Sequence, residues 1–283
     1  MYAATNGTYT LFLCEDNDPP NPRKDYEPFG RMICWHSRYN IGDNHEYAEP
    51  IDFLRDMVMT FFKDTPGNVF DYVKQGLSQY VRLEYDNQNC QWHLKEPSSF
   101  GGETHWYTTN VYNEFMQNSR ISDDAFYDIV HALGIKDLMV LLTHIKGFIL
   151  LPLYLYDHSG ITISTSPFNC PWDSGQVGWI FCTPKRLQAE FGDITETNMK
   201  QANRLIEEEI KAYDAYLRGE CYGYCLYLGM REIDSCWGFF GEIENIKNDL
   251  RAEMPSEIIE LVDSLEYTNE SESSYLLYHV KEM

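Results

Sequence analysis

Residues 196–238, ETNMKQANRLIEEEIKAYDAYLRGECYGYCLYLGMREIDSCWG, set a helical period directly against a strand period. From Glu196 to Leu217, Met199, Ala202, Leu205, Ile206, Ile210, Tyr213 and Leu217 form one apolar stripe, with Glu207, Glu208 and Glu209 largely outside it. Gly219 closes the helix. Cys221–Met230 and Ile233–Gly238 then read as the two strands of a β-hairpin. A long amphipathic helix feeding a hairpin predicts an α+β fold, with a mixed or antiparallel sheet and several helices packed on a single core.

Upstream, Val177–Cys182 and Leu153–Tyr156 read as strands flanking a long ordered loop, and Pro184 starts a short helix. Tyr9–Cys14 and Arg31–His36 are the opening strands. Pro50 starts a helix through Ile51, Phe53, Leu54, Met57, Val58 and Phe61. The region from Thr65 to Arg120 reads as irregular, with a short helix near Asn68–Tyr80 and loops after it. Ser122 caps a helix through Phe126, Ile129, Val130 and Leu133, ended by Gly134. The apolar stretch from there to Leu151 is helix or buried strand, which periodicity does not decide. Downstream, residues 193–267 continue helical and acidic, and 268–274 is expected to be mobile. No repeat or linker interrupts the chain, so residues 1–283 are expected to form one domain.

The formal net charge is −22, from 44 acidic and 22 basic residues. From Asp193 onward there are 20 acidic and 8 basic residues, so the excess is densest in the last third. Such a balance repels a phosphate backbone, and no Lys/Arg cluster denser than Arg23–Lys24 offsets it, so direct nucleic-acid binding is excluded as a leading idea. A surface of this sign gives solubility, or meets the basic groove of a nucleic-acid-processing protein by resembling DNA. Glu207, Glu208, Glu209, Glu253, Glu257 and Glu260 are the candidate partner-binding residues.

The first residues carry neither a basic nor an apolar segment, which predicts no signal peptide. The longest apolar run, Gly147–Tyr156, is about half the ~20 residues a membrane helix needs, so no membrane partner is expected. The expected compartment is the cytoplasm, with the eight cysteines as free, mostly buried thiols. Cys221 and Cys225 share one strand face without a second Cys/His pair at zinc-ligand spacing, so no metal or cofactor is expected.

One stretch concentrates specialised residues: YDHSGITISTSPFNCPWDSGQVGWIF, Tyr156–Phe181. Gly160, Gly175 and Gly178 permit positive φ or close backbone approach, while Asp157, His158, Ser159, Asp173 and Ser174 bring short polar groups. Asp157-His158-Ser159 is not a catalytic triad, because adjacent residues on a strand end point in different directions. The candidate catalytic residues are His158, Asp157, Asp173 and His36, which with Asp43 would make a general-base or metal constellation if they converged. The structural alternative is that His158 and Asp173 bond to loop backbone and fix its shape. Trp172, Trp179 and Trp237 read as core anchors rather than a stacking platform.

Three segments carry a resemblance: the stretch from Tyr156, His36-Ser-Arg-Tyr-Asn-Ile-Gly-Asp43, and Asp234-Ser-Cys-Trp-Gly-Phe-Phe-Gly241. Together they resemble a family of phage- and plasmid-borne proteins, mostly of Gram-positive bacteria. The resemblance assigns no catalytic residue. It implies the company of mobile-element accessory genes, among which inhibitors of host defence are common. Two readings follow. The first is a non-enzymatic counter-defence inhibitor, in the host bacterial cell, that engages a host nucleic-acid-processing defence protein through its acidic surface. The alternative is a small-ligand or nucleotide-signal binding protein, or a hydrolase, using the Asp157–Asp173 loop. An assembly protein of the mobile element, working as a homo-oligomer, is a third.

Overall fold

The computed structural model describes residues 1–100, 103–112, 116–117 and 120–268. Of the segment expected to be mobile, all but Thr268 lies outside these residues. In chain order the elements are β1 (Tyr2–Thr5), β2 (Tyr9–Glu15), β3 (Arg31–Cys34), α1 (Pro50–Phe62), α2 (Pro66–Lys74), β4 (Arg82–Asp86), β5 (Gln91–Phe100), β6 (Glu103–Tyr112), β7 (Met116–Gln117) and β8 (Arg120–Ile121). They continue with α3 (Asp123–Ala132), α4 (Ile135–Thr143), β9 (Ile149–Asp157), β10 (Ile161–Ser164), β11 (Ser174–Cys182), α5 (Pro184–Phe191) and α6 (Glu196–Arg218). The last are β12 (Cys221–Leu228), β13 (Arg231–Phe240), α7 (Ile243–Glu253), α8 (Ser256–Asp263) and β14 (Glu266–Tyr267). The fold is α+β. No helix among the described residues is long and apolar enough to cross a membrane.

The chain divides into two compact units. One comprises Met1–Cys34, Pro152–Ile180 and the chain from Lys200 onward; the other comprises Trp35–Leu151 and Phe181–Met199. The chain passes from one to the other directly after β3 and within β9, β11 and α6, so no linker composition marks the division.

In the first unit a five-stranded sheet runs β13-β12-β2-β1-β14, with every neighbouring pair antiparallel. Period-two alternation puts Tyr224 and Leu226 of β12 and Leu11 and Leu13 of β2 on one face, where they meet Ile246 and Leu250 of α7 and Ile258, Leu261 and Val262 of α8. Each fully buried aliphatic side chain here contributes about 1.5–3 kcal/mol, so the acidic helices are held by their apolar stripes while Glu253, Glu257 and Glu260 stay exposed. Across β12 and β13 the Trp237 ring lies over Gly223, where a Cβ would come within 2.2 Å of it.

Helix α6 buries Ala202, Ile206, Ile210 and Tyr213 of the stripe read from the sequence, and Ala215 besides, while Met199 and Leu217 are half-buried and Leu205 is exposed. It ends where Gly219 takes φ +74° and the Glu220 N–H returns to the Ala215 carbonyl at 2.8 Å, a six-to-one closure that only a glycine makes without strain.

A second sheet has the order β10-β9-β11-β3. The stretch after Tyr156, read as one long loop, contains β10, which pairs antiparallel with β9 from Ile161↔Asp157 to Ser164↔Tyr154. Its only fully buried side chain is Ile163, although Ile161-Thr162-Ile163-Ser164 does alternate apolar and polar residues; the run of four is short enough to be read as part of the loop.

In the second unit α1–α4 bury Phe53, Leu54, Val58, Val69, Val73, Ile129, Leu138 and Leu142. Ser122 caps α3, accepting the Ala125 N–H as the sequence suggests. Gly134, read as the end of that helix, is the N-cap of α4, and it lies so near Tyr80 that a Cβ would meet the ring at 2.6 Å. The apolar stretch to Leu151 is therefore both candidates in turn, α4 and then β9. The expectation of loops after residue 80 is corrected by the antiparallel sheet β4-β5-β6. Its first turn is shaped by Asp86, whose carboxylate accepts the N–H groups of Gln88 and Asn89.

Candidate functional site

The Tyr156–Phe181 stretch is organised by the β9–β10 hairpin and the start of β11. Three residues, His158-Ser159-Gly160, turn the chain; Ser159 takes φ +55° and the His158 N–H bonds to the Gly160 carbonyl at 3.1 Å. The Asp157 N–H bonds to the Asp173 carbonyl at 2.8 Å, tying the hairpin to the base of β11. Gly178 is required by close approach: a Cβ there would lie 1.9 Å from the Ile33 carbonyl oxygen.

The structure brings His158 and Asp173 together, with Nδ1 and Oδ2 3.4 Å apart, and adds the Cys170 thiol 3.5 Å from the same carboxylate oxygen. The two side chains keep 65% and 40% of their exposure. A contact this open to water contributes at most about 0–1 kcal/mol. The bond that ties the hairpin to Asp173 is made to its main-chain carbonyl. The Ser159 hydroxyl donates to the His158 carbonyl at 2.7 Å. It is engaged locally and is not presented to a base.

His36 and Asp43 belong to the other unit. His36 Nδ1 accepts the N–H groups of Arg38 and Tyr39, both at 3.2 Å, and its ring stacks on Tyr39 at 5.0 Å. That nitrogen is used to build a turn. Among the described residues no group of three or more His, Cys, Asp or Glu side chains is placed to hold a metal ion, and all eight cysteines are free thiols. Burial pushes the thiols of Cys221 and Cys225 up to about 11, so neither is a thiolate at neutral pH.

Beside the loop lies a groove of about 390 Å³, lined by Thr162, Ser164, Thr165 and Phe168 on one side and Glu207, Lys211 and Asp214 of α6 on the other. Asp214 accepts the Ile163 N–H at 2.8 Å and approaches Arg218 at 3.4 Å. Burial holds its carboxyl above the usual range, against the lowering effect of those two partners.

The six candidate partner-binding glutamates divide. Glu207, Glu208, Glu253, Glu257 and Glu260 are exposed and form no ion pair among the described residues. Glu209 is different: its carboxylate accepts the N–H groups of Phe29 and Gly30, the latter at 3.0 Å, and pairs with Arg23 at 3.4 Å. Arg23 is itself buried and donates to the Gly30 carbonyl at 2.7 Å. Glu209 thus fastens residues 23–30 to α6.

The tryptophans divide as well. Trp179 is buried as expected, Trp237 is half-exposed, and Trp172 is 92% exposed at the tip of the stretch. A free indole flanked by Pro171 and Asp173 is a candidate contact residue that the anchor reading missed, since aromatic rings of this kind dominate interface energetics. No family model, curated protein or solved structure matches this chain.

Proposed function

We propose that the protein acts by binding rather than by catalysis, as a mobile-element counter-defence inhibitor whose acidic helices engage the basic groove of a host nucleic-acid-processing protein. The observation that carries this reading is the set of exposed carboxylates Glu207, Glu208, Glu253, Glu257 and Glu260 on α6, α7 and α8. Three basic side chains of the same region are committed to other carboxylates: Arg218 to Asp214 and Glu220, Lys247 to Glu244, and Arg251 to Asp263. Exposed negative charge on a helical surface draws a basic partner by long-range attraction and makes association salt-sensitive. The openness of the His158–Asp173 pair weighs against catalysis there, because general-base chemistry profits from a water-excluded setting.

The test is capture of proteins from a host lysate on immobilised full-length chain, followed by elution with duplex DNA. The reading expects a nucleic-acid-binding protein that DNA displaces and that Glu207→Lys/Glu208→Lys/Glu257→Lys/Glu260→Lys no longer retains. Retention unchanged by the charge reversal refutes it. Glu209 is left intact because its loss would report on folding. A second reading, a small-ligand or nucleotide-signal site, draws on the groove between β10 and α6, where Lys211 is the cation and Phe168 the ring. Stabilisation of the wild type by a nucleotide, absent in Lys211→Ala, would favour it.

A further inference from the structure

We propose that a groove among α1, α2 and α4 is a binding site for a small organic cation, a protonated amine carried on an apolar body. The groove has a volume of about 460 Å³, within the ~300–1,000 Å³ range of small-ligand sites. Its residues belong to the unit that holds neither α7 and α8 nor the groove between β10 and α6, so the proposal stands apart from both readings of function.

The floor is apolar. Phe62 from the end of α1, Tyr72 from α2 and Leu141 from α4 are buried, and Phe61, Leu77 and Ile145 continue the surface toward solvent. Tyr72 offers its ring, because its hydroxyl is committed to the buried carboxylate of Asp137 at 3.0 Å. A floor of rings and branched side chains gains by removing apolar surface from water, so it favours a ligand with an apolar body.

The rim decides the sign of the charge. Positions 68, 71 and 75 are spaced by three and four, which puts Asn68, Asp71 and Gln75 on one side of α2 and its C-cap, bordering the groove. The Asp71 carboxylate is exposed, while Lys74, the lysine of the same helix, holds its ammonium over the rings of Phe70 and Trp92 at 5.5 and 5.6 Å. Helix α4 adds His144. Its Nδ1 lies 2.8 Å from the Val140 carbonyl, which only accepts, so Nδ1 carries a proton and the neutral ring keeps Nε2 as an acceptor. Among the described residues that line the groove there is no lysine or arginine. Helices α1 and α4 reach it by their C-terminal turns, which carry partial negative charge and contain no basic residue. Helix α2 lines it from N-cap to C-cap, so its two ends offset each other. A ligand carboxylate would meet no cation here. An ammonium group is offered Asp71, the His144 Nε2 and the amide carbonyls of Asn68 and Gln75 as acceptors.

The experiment is an NMR titration of the isotope-labelled full chain at about 0.1 M salt. The probe is phenethylamine. Its controls are phenethyl alcohol, which lacks the charge, hydrocinnamate, which reverses it, and methylamine, which lacks the apolar body. The expected result is saturable binding of phenethylamine with shifts centred on residues 61–77 and 141–145, at least ~5-fold tighter than the alcohol, and none for hydrocinnamate or methylamine. Asp71→Asn should weaken the amine about 2–5-fold and leave the alcohol unchanged. Glu257→Gln, an exposed carboxylate of α8, should change neither. Raising the salt to about 1 M should narrow the ratio of amine to alcohol, and that measurement on the wild type decides if Asp71→Asn misfolds. Absence of saturable amine binding overturns the proposal, as does hydrocinnamate binding as tightly as the amine. So do methylamine shifts equal to those of phenethylamine, amine shifts centred on α7 and α8, and a folded Asp71→Asn that binds the amine as the wild type does.

Discussion

Replacing Glu209 by alanine removes the one carboxylate that joins three groups: the N–H of Phe29, the N–H of Gly30 and the Arg23 guanidinium, which keeps its bond to the Gly30 carbonyl. The magnitude depends on how well water can replace the acceptor. The Arg23 side chain is 1% exposed, so water does not reach it, while Glu209 at 21% has an open side. Breaking a fully buried ion pair costs about 3–5 kcal/mol, and the partial exposure of Glu209 brings the expectation to about 2–4 kcal/mol. For a chain of this length that corresponds to a drop in Tm of very roughly 5–15 °C. Glu208→Ala, one residue away and exposed, is the internal control and should lie within about 0.5 kcal/mol of the wild type. Urea unfolding followed by tryptophan fluorescence measures both, and m-values show whether the two units unfold together. Equal stabilities for the two variants would refute the assignment of Glu209 to the fold and return it to the exposed acidic set.

Four further outcomes are expected. Asp137 is buried between the Tyr72 hydroxyl at 3.0 Å and the Ser78 hydroxyl at 2.6 Å, so Asp137→Ala should cost about 2–4 kcal/mol in thermal or urea unfolding. Burial, with Arg55 second, lowers the His131 pKa, so the native state binds that proton less tightly than the unfolded chain. The contribution of neutral His131 is therefore complete above about pH 6.5 and lost as pH falls through the native value, and His131→Gln should flatten that part of the stability profile. His158→Ala and Asp173→Ala should each change stability by less than about 1 kcal/mol, since their pair is open to water; a larger loss in both would make the loop's side chains structural. Trp172→Ala should leave Tm unchanged within about 1 °C and weaken partner capture; a large drop in Tm would show that the indole is packed.

The parts of the fold legible in the sequence are those whose periodicity is enforced by one-sided burial. Helix α6 shows its stripe because Ala202, Ile206, Ile210 and Tyr213 must all be buried on one side. Strand β12 is legible because Tyr224 and Leu226 must meet α7 and α8. Strands β5 and β6 are not legible, because among their described side chains only Leu94 is buried and most of β6 faces water, so alternation has nothing to report. The short β10 alternates as Ile-Thr-Ile-Ser and is hidden by its length: four residues between turn-forming neighbours read as loop. The role of Glu209 is invisible for another: its partners are backbone N–H groups about 180 positions earlier, and backbone donors carry no residue signature. Trp172 was misplaced because composition ties tryptophan to cores, whereas its setting between Pro171 and Asp173 at a loop tip holds it in water.

That last group of residues sharpens what the charge can and cannot do. A count of acidic residues treats Glu207, Glu208 and Glu209 as one patch, yet their side chains serve three settings: a groove wall, open solvent and an internal clasp. Reversal of all three would mix lost attraction with lost folding, and reduced binding would then say nothing about electrostatics. Separating them gives the charge hypothesis a clean form. If attraction is the cause, Glu208→Lys and Glu257→Lys should each slow association by similar factors and leave dissociation nearly unchanged, because both are exposed and steering acts on the encounter. If a shaped contact is the cause, one of them should dominate and act on dissociation. Stopped-flow or surface-based kinetics at two salt concentrations distinguishes the two, and a dominant dissociation effect insensitive to salt would show that the acidic surface is recognised by its shape.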